Sequence, residues 1–208
     1  MADVATAPVV AGLSLGIALA SAPGPVQAVL LGEAIRGGVR RGLRAQTGAV
    51  ATFGLMLLAL ALGLSVATPT DTVLRVLKIV GGALLLWLSW DGFRSRNEPL
   101  EASTERRQLS PVARGSLAII LNPGAWLFLA AVASPLIATA TETGGRTSAL
   151  LAAGALLLGA ALGDLAVVLL GGMGIRRTSE RVRGWVSTWL SVVLAGLGVW
   201  LVVQGVIQ

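Results

Sequence analysis

The sequence predicts an all-α integral membrane protein: six transmembrane helices in a 3+3 inverted repeat, with the first and fourth helices broken. Three observations carry that prediction. Of 208 residues, 55% are hydrophobic and only 12% charged, about half the roughly 25% of a soluble domain. Six apolar stretches reach the length of about 20 residues that a helix needs to cross a bilayer core of about 30 Å. Two of them contain Pro-Gly interruptions some 100 residues apart.

Composition removes the other broad classes. So few charges cannot cover a water-soluble globule of this size. The hydrophobicity excludes disorder, and the absence of Cys excludes a disulfide scaffold. There is no His, which removes His-based acid–base chemistry and the commonest transition-metal ligand. The net charge of +6 comes from 15 Arg and Lys78, set in short clusters between apolar runs without aromatic interleaving. That is a topology pattern rather than a phosphate-binding face, so no nucleic-acid partner is expected.

The stretches run over about 8–35, 43–67, 73–92, 113–139, 148–172 and 184–206. The first carries Pro23-Gly24-Pro25 in its middle, and the second stops at Thr68-Pro69-Thr70-Asp71. The third ends at Trp87-Leu88-Ser89-Trp90-Asp91, the fourth contains Asn122-Pro123-Gly124, and the fifth contains Asp164. The sixth begins near Trp185. The long polar stretch 94–114 divides the chain into halves, 1–93 and 115–208, joined by a cytoplasmic linker. Ala20-Ser21-Ala22 looks like a signal-peptidase site, but the positive n-region is missing, so the first stretch is expected to be retained.

Cations set the orientation. The first, third and fifth loops hold thirteen of the sixteen, among them Arg36, Arg40, Arg41 and Arg44 in the first. The opposite side has Arg146, with Arg75 and Lys78 at the start of the third stretch. The positive-inside rule then places the odd loops in the cytoplasm and both termini outside. Trp87, Trp90, Trp185 and Trp189 fall at the cytoplasmic interface and Trp200 at the outer one.

Each Pro-Gly break lies in the first helix of a three-helix half, and three crossings give the halves opposite orientations. Pro removes an N–H and clashes with the preceding turn. Unpaired backbone groups persist at membrane depth only inside protein or beside a water-filled cavity. Past each break a half-helix begins, with orphan N–H groups and a positive dipole end able to hold a carboxylate. Matched discontinuous helices are the sequence pointer to a transporter binding site.

The pattern resembles the lysine exporter (LysE/RhtB) family of bacterial amino-acid and small-solute exporters. The likeness rests on Gly16, Ala22-Pro23-Gly24-Pro25, Gly37/Gly38, Gly42 and the Gly48–Gly54 region. It continues through Leu77-Lys78, Gly81-Gly82-Ala83, Leu85 and Leu86, then Arg114-Gly115, Leu121-Asn122-Pro123-Gly124-Ala125 and Pro135. The chain departs in Gly124, where a Lys is frequent in the family, and in an aromatic-poor fifth helix. The resemblance implies outward transport in a bacterial inner membrane.

Asp164 is the main chemical candidate. It lies inside the fifth stretch behind Gly159 and Gly163, a small-xxx-small pair that lets a neighbouring helix approach. A central Asp costs roughly 2.5–3.5 kcal/mol on insertion scales, so it should face a cavity or partner. It can bind a substrate ammonium or exchange a proton. The expected substrate-binding set is Pro23, Gly24, Pro25, Gln27, Asn122, Pro123, Gly124 and Asp164, with Asp164 also the proton-coupling candidate. Ser21, Gln46 and Thr47 are further polar candidates, and Trp126 either walls the cavity or packs on a neighbour. Glu33 is read as an interfacial ion pair with Arg36, three residues on, with a gate residue as the alternative, and Asp91 pairs with Arg94 in the same way.

The expected function is a proton-driven secondary exporter of amino acids or similar small zwitterions. No P-loop is present, and no metal or other cofactor is called for. A heavy-metal or other small-solute exporter is the alternative, disfavoured by the lack of His and Cys. A thiol-based membrane oxidoreductase needs paired Cys, and an intramembrane hydrolase needs a constellation that is not visible. A non-transporting membrane scaffold is the remaining reading. Partners are then the small-molecule substrate and membrane lipid, with a homodimer left open.

Overall fold

The structure is a computed structural model that describes residues 2–22, 24–63, 70–94, 109–174 and 180–207. The described residues are helical apart from short connections. In order these are α1 (Ala2–Ser21), α2 (Pro25–Ala61), α3 (Asp71–Arg94), α4 (Pro111–Ile120), α5 (Pro123–Phe128), α6 (Ser134–Leu169) and α7 (Glu180–Ile207). A π-type turn over Leu129–Ala133 joins α5 to α6, and another over Leu170–Gly174 extends α6. Three helical stretches are long and apolar enough to cross a membrane: Pro25–Ala61, Asp71–Trp90 and Pro123–Met173.

The first of these, at 37 residues, would be about 55 Å long if straight, far more than a bilayer core needs. It is not straight. Gly37 (φ −131°, ψ 16°) and Gly38 (φ 73°, ψ −176°) break it into arms 25–36 and 39–61. The second arm folds back on the first. A Cβ on Gly42 would lie 2.9 Å from the Cβ of Ala34, although eight residues of continuous helix span about 12 Å. α6 repeats the device: Gly144 (φ −143°, ψ 18°) and Gly145 (φ 67°, ψ −164°) separate 134–143 from 146–169. The second glycine of each pair sits in a region of φ/ψ that essentially only glycine occupies. The predicted spans therefore end at glycine pairs that polarity alone does not mark.

The breaks ahead of α2 and α5 also match. In each, one extended residue precedes a Pro at the first helical position: Gly24 (φ −158°, ψ −177°) before Pro25, and Asn122 (φ −91°, ψ 106°) before Pro123. Pro suits that position because its missing N–H is one the helix would not use. Pro23 lies outside the described residues, as do 64–69 and the linker stretch 95–108. Of the Asp91 side chain nothing is described, which leaves its pairing with Arg94 untested.

Packing follows the same order twice. α1 packs on α6, α4 on α2, α3 on α7, and the two long helices α2 and α6 on each other. Glycines let the backbones touch. A Cβ on Gly115 of α4 would collide with the carbonyl of Ala45 and crowd the amide of Ala49. On α1, Gly12 meets Ala152 and Leu156 in the same way. Ala45 and Ala49 stand eight and twelve residues past Gly37, and Ala152 and Leu156 eight and twelve past Gly144. Gly82 on α3 and Gly198 on α7 approach each other's carbonyls.

Candidate functional site

The two breaks open on one cavity of about 220 Å³. Gly24, Pro25 and Gln27 line it from the start of α2, and Asn122, Gly124 and Ala125 from the start of α5. The walls come from the long arms: Ala49, Val50 and Phe53 of α2 and Leu157, Ala160 and Asp164 of α6. Counted from the glycine pairs, Val50 and Phe53 correspond to Leu157 and Ala160, and Asp164 corresponds to Leu57. Asp164 thus stands where the other half places a buried leucine.

Each polar group at the cavity has a local reason for its position. Gly24 caps α2 with no side chain, and its carbonyl accepts the Ala28 N–H at 3.0 Å, closing the first turn. Asn122 caps α5 with its side chain: Oδ1 accepts the Gly124 N–H at 3.0 Å, satisfying one orphan donor at the new helix start. Trp126 Nε1 donates to the Ile120 carbonyl at 2.8 Å, bridging the break and fixing the angle between α4 and α5. Gln27, in the first turn of α2, donates Nε2 to Asp164 Oδ1 at 3.3 Å. Asp164 is 7% exposed, so its carboxylate is held by an amide from the opposite wall rather than by bulk water.

The electrostatic pattern follows from those elements. Two helix starts turn partial positive charge toward one side of the cavity, although at α5 the Gly124 N–H is taken up by the Asn122 side chain and the Ala125 N–H by the Asn122 carbonyl. Asp164 presents a carboxylate from the other side. The remaining walls are mostly apolar.

Of the expected binding residues, the structure brings Gly24, Pro25, Gln27, Asn122, Gly124 and Asp164 to this one cavity. Pro123 is buried behind the α5 start rather than among the lining residues, and Pro23 is not described. Ser21 and Thr47 are spent on their own helices, donating to the carbonyls of Ile17 and Leu43 at 2.7 and 2.9 Å. Gln46 donates to the Ala161 carbonyl at 2.7 Å, tying α2 to α6 one turn from the cavity walls.

Glu33 requires a correction. Its ion pairs are with Arg41 (Nε–Oε2 2.6 Å) and Arg114 (Nη1–Oε1 3.2 Å), while Arg36 donates to the Leu88 carbonyl. The reversal at Gly37–Gly38 brings Arg41 back over Glu33, and α4 delivers Arg114; neither contact follows from helical spacing. The apolar wall residues also escaped the sequence reading, because Val, Leu and Ala facing a cavity read like those facing lipid. The Phe53 ring, 6.3 Å from that of Phe128, was the one aromatic signal within the second stretch.

Comparison with known proteins bears on the same residues. The family model for LysE type translocators matches residues 17–205, from before the first break to the end of α7. The chain belongs to the LysE type translocator family. Within it, the chain is 30% identical over 118 residues to the uncharacterized membrane protein YahN of Escherichia coli (strain K12). That alignment covers 55% of this chain and 52% of YahN, so the chain spans about half the length of the curated relative it matches. No solved structure matches. The family membership makes this a membrane protein of a translocator family, in keeping with three helical stretches among the described residues that are long and apolar enough to cross a bilayer.

Proposed function

We propose that this LysE-type translocator exports an amino acid or similar small zwitterion across the bacterial inner membrane, using the proton gradient. The observation that carries the reading is the single cavity shared by two helix starts and Asp164. A substrate carboxylate sits toward the positive starts of α2 and α5, and its ammonium group is directed to Asp164. At about 220 Å³ the space lies below the roughly 300–1,000 Å³ of drug-sized pockets, which suits a small solute. The absence of an Arg among its lining residues favours neutral or cationic amino acids over dicarboxylates.

Coupling follows from competition at one carboxylate. Ionised Asp164 attracts an ammonium group; protonated Asp164 does not. A proton arriving from outside therefore displaces the substrate there, and its loss to the cytoplasm readies the site for the next molecule.

The architecture that serves this cycle is a 3+3 inverted repeat of six crossings, with both termini outside. The matched extended-residue–Pro breaks, the matched glycine pairs and the paired docking of α1 on α6 and α4 on α2 support it. Export, rather than import, comes from the family. The test is efflux of labelled amino acids from cells expressing the chain. Faster loss than from cells expressing Asp164→Asn supports the reading, and equal loss for every amino acid sinks it.

A further inference from the structure

At the end of the molecule marked by Gly37–Gly38, two charged side chains are packed away from water and a third covers them at the edge. Arg114 and Glu33 have side chains only 1% and 3% exposed, and Arg41 is 29% exposed. Glu33 bridges both arginines, one through each carboxylate oxygen. Arg114 also donates Nε to the Leu109 carbonyl at 3.2 Å, and its guanidinium lies 5.3 Å over the ring of Trp87. The cluster therefore ties the short arm of α2, its long arm, the start of α4 and α3 at one point.

That point lies to one side of the cavity. Glu33 is six residues past the lining residue Gln27, Arg41 eight residues before Ala49, and Arg114 five residues before Ile119. At 1.5 Å per residue these are displacements of about 9, 12 and 8 Å, all toward the Gly37–Gly38 end. The opposite end has nothing equivalent among the described residues. Counted from the glycine pairs, Glu33 and Arg41 become Ala140 and Ser148. In the register that sets Gly115 against Gly12, Arg114 becomes Ala11. Among the described residues, the polar contact between the α2 C-terminal end and α6 is an exposed one, from Arg146 Nη2 to the Leu62 carbonyl at 3.0 Å.

We propose that Glu33, Arg41 and Arg114, roofed by Trp87, form a gate that closes the cavity on the Gly37–Gly38 side and opens when water rehydrates the three charges. An ionic seal suits a gate better than an apolar one. Desolvation largely cancels the attraction of a buried pair, so the closed form gains little net stability and registry is its main product. On opening, each ion recovers its hydration, and the α2 hairpin parts from α4. The inference rests on reading the cavity as a transport site, but its test measures access and needs no substrate.

The chain has no Cys, so Val50→Cys places a single thiol on the cavity wall. A membrane-impermeant maleimide is applied to vesicles of each orientation. With the cluster intact, labelling from the Gly37–Gly38 side is slow. Glu33→Gln, which keeps the shape and removes the charge, raises it at least about tenfold, the factor given by ~1.4 kcal/mol in the closed–open balance. Arg41→Gln, at the partly exposed member, raises it less, and carries the test if Glu33→Gln fails to reach the membrane. Rates from that side unchanged in both variants overturn the gate and leave a structural tie. Fast labelling from that side with the cluster intact overturns it as well. If no amino acid is exported yet the labelling rises as stated, the gate stands and only the choice of substrate fails.

Discussion

Gln27 and Asp164 are 137 residues apart in sequence and joined by a 3.3 Å hydrogen bond across the cavity. One belongs to the first turn after the first break, the other to the long arm of α6. The bond makes the acid answerable to the helix start. Gln27→Ala should leave the protein in the membrane and raise the half-saturating substrate concentration about tenfold, since a hydrogen bond to a charged group contributes about 1.5–3 kcal/mol. Asp164→Asn should insert equally well and abolish proton-coupled flux, because an amide keeps the size without the charge. Wild-type rates and an unchanged pH profile in proteoliposomes would reduce Asp164 to packing.

Asn122 is expected to tolerate Ser and not Leu. Ser keeps an oxygen that can accept the Gly124 N–H, whereas Leu leaves the donor bare at a cost of about 0.5–2 kcal/mol. Thermal unfolding in detergent should rank wild type, Asn122→Ser and Asn122→Leu in that order, with transport falling in parallel. Equal melting of the Ser and Leu forms would remove the cap from the account.

The glycines separate into two kinds by what they lack room for. Gly38→Ala forces a Cβ into a backbone conformation held for Gly, at about 1–3 kcal/mol. Gly115→Ala instead drives a Cβ into the Ala45 carbonyl and should part α4 from α2. Each should lower the melting temperature. Gly115→Ala should also speed labelling of a cavity thiol by parting α4 from α2, and Gly38→Ala should do so through the reversal that carries Arg41 to Glu33.

Orientation is tested by single Cys probes at Asp3 and Gln208. If the thirteen cations on the odd loops mark the cytoplasmic side, an impermeant thiol reagent should label both probes in intact spheroplasts. Labelling of both from the cytoplasmic face alone would invert the assignment, and with it the direction in which the gate faces.

Hydropathy and Pro-Gly spacing made the apolar stretches and both breaks legible, because each rests on local chemistry: an apolar run, a missing N–H. The ionic cluster was not. Helical periodicity offered Glu33 the nearby Arg36, whereas its partners arrive by a chain reversal and from a helix some 80 residues away. The Gly37–Gly38 and Gly144–Gly145 pairs were visible as letters, yet in a membrane helix glycine serves packing as often as turning. Their dihedral angles decide between the two, and those exist only in the folded chain.

The exchange of helices between the halves bears on biosynthesis. The glycine face of α1 is complementary to α6, which the ribosome makes more than 100 residues later. Until then Gly12 and Gly16 lack the α6 backbone they fit, and α3 lacks α7. α4, by contrast, finds α2 already waiting. The cavity spans that exchange: Leu19 and Ala20 of α1 line it, so it is complete only when the first-made helix lies against the late-made α6.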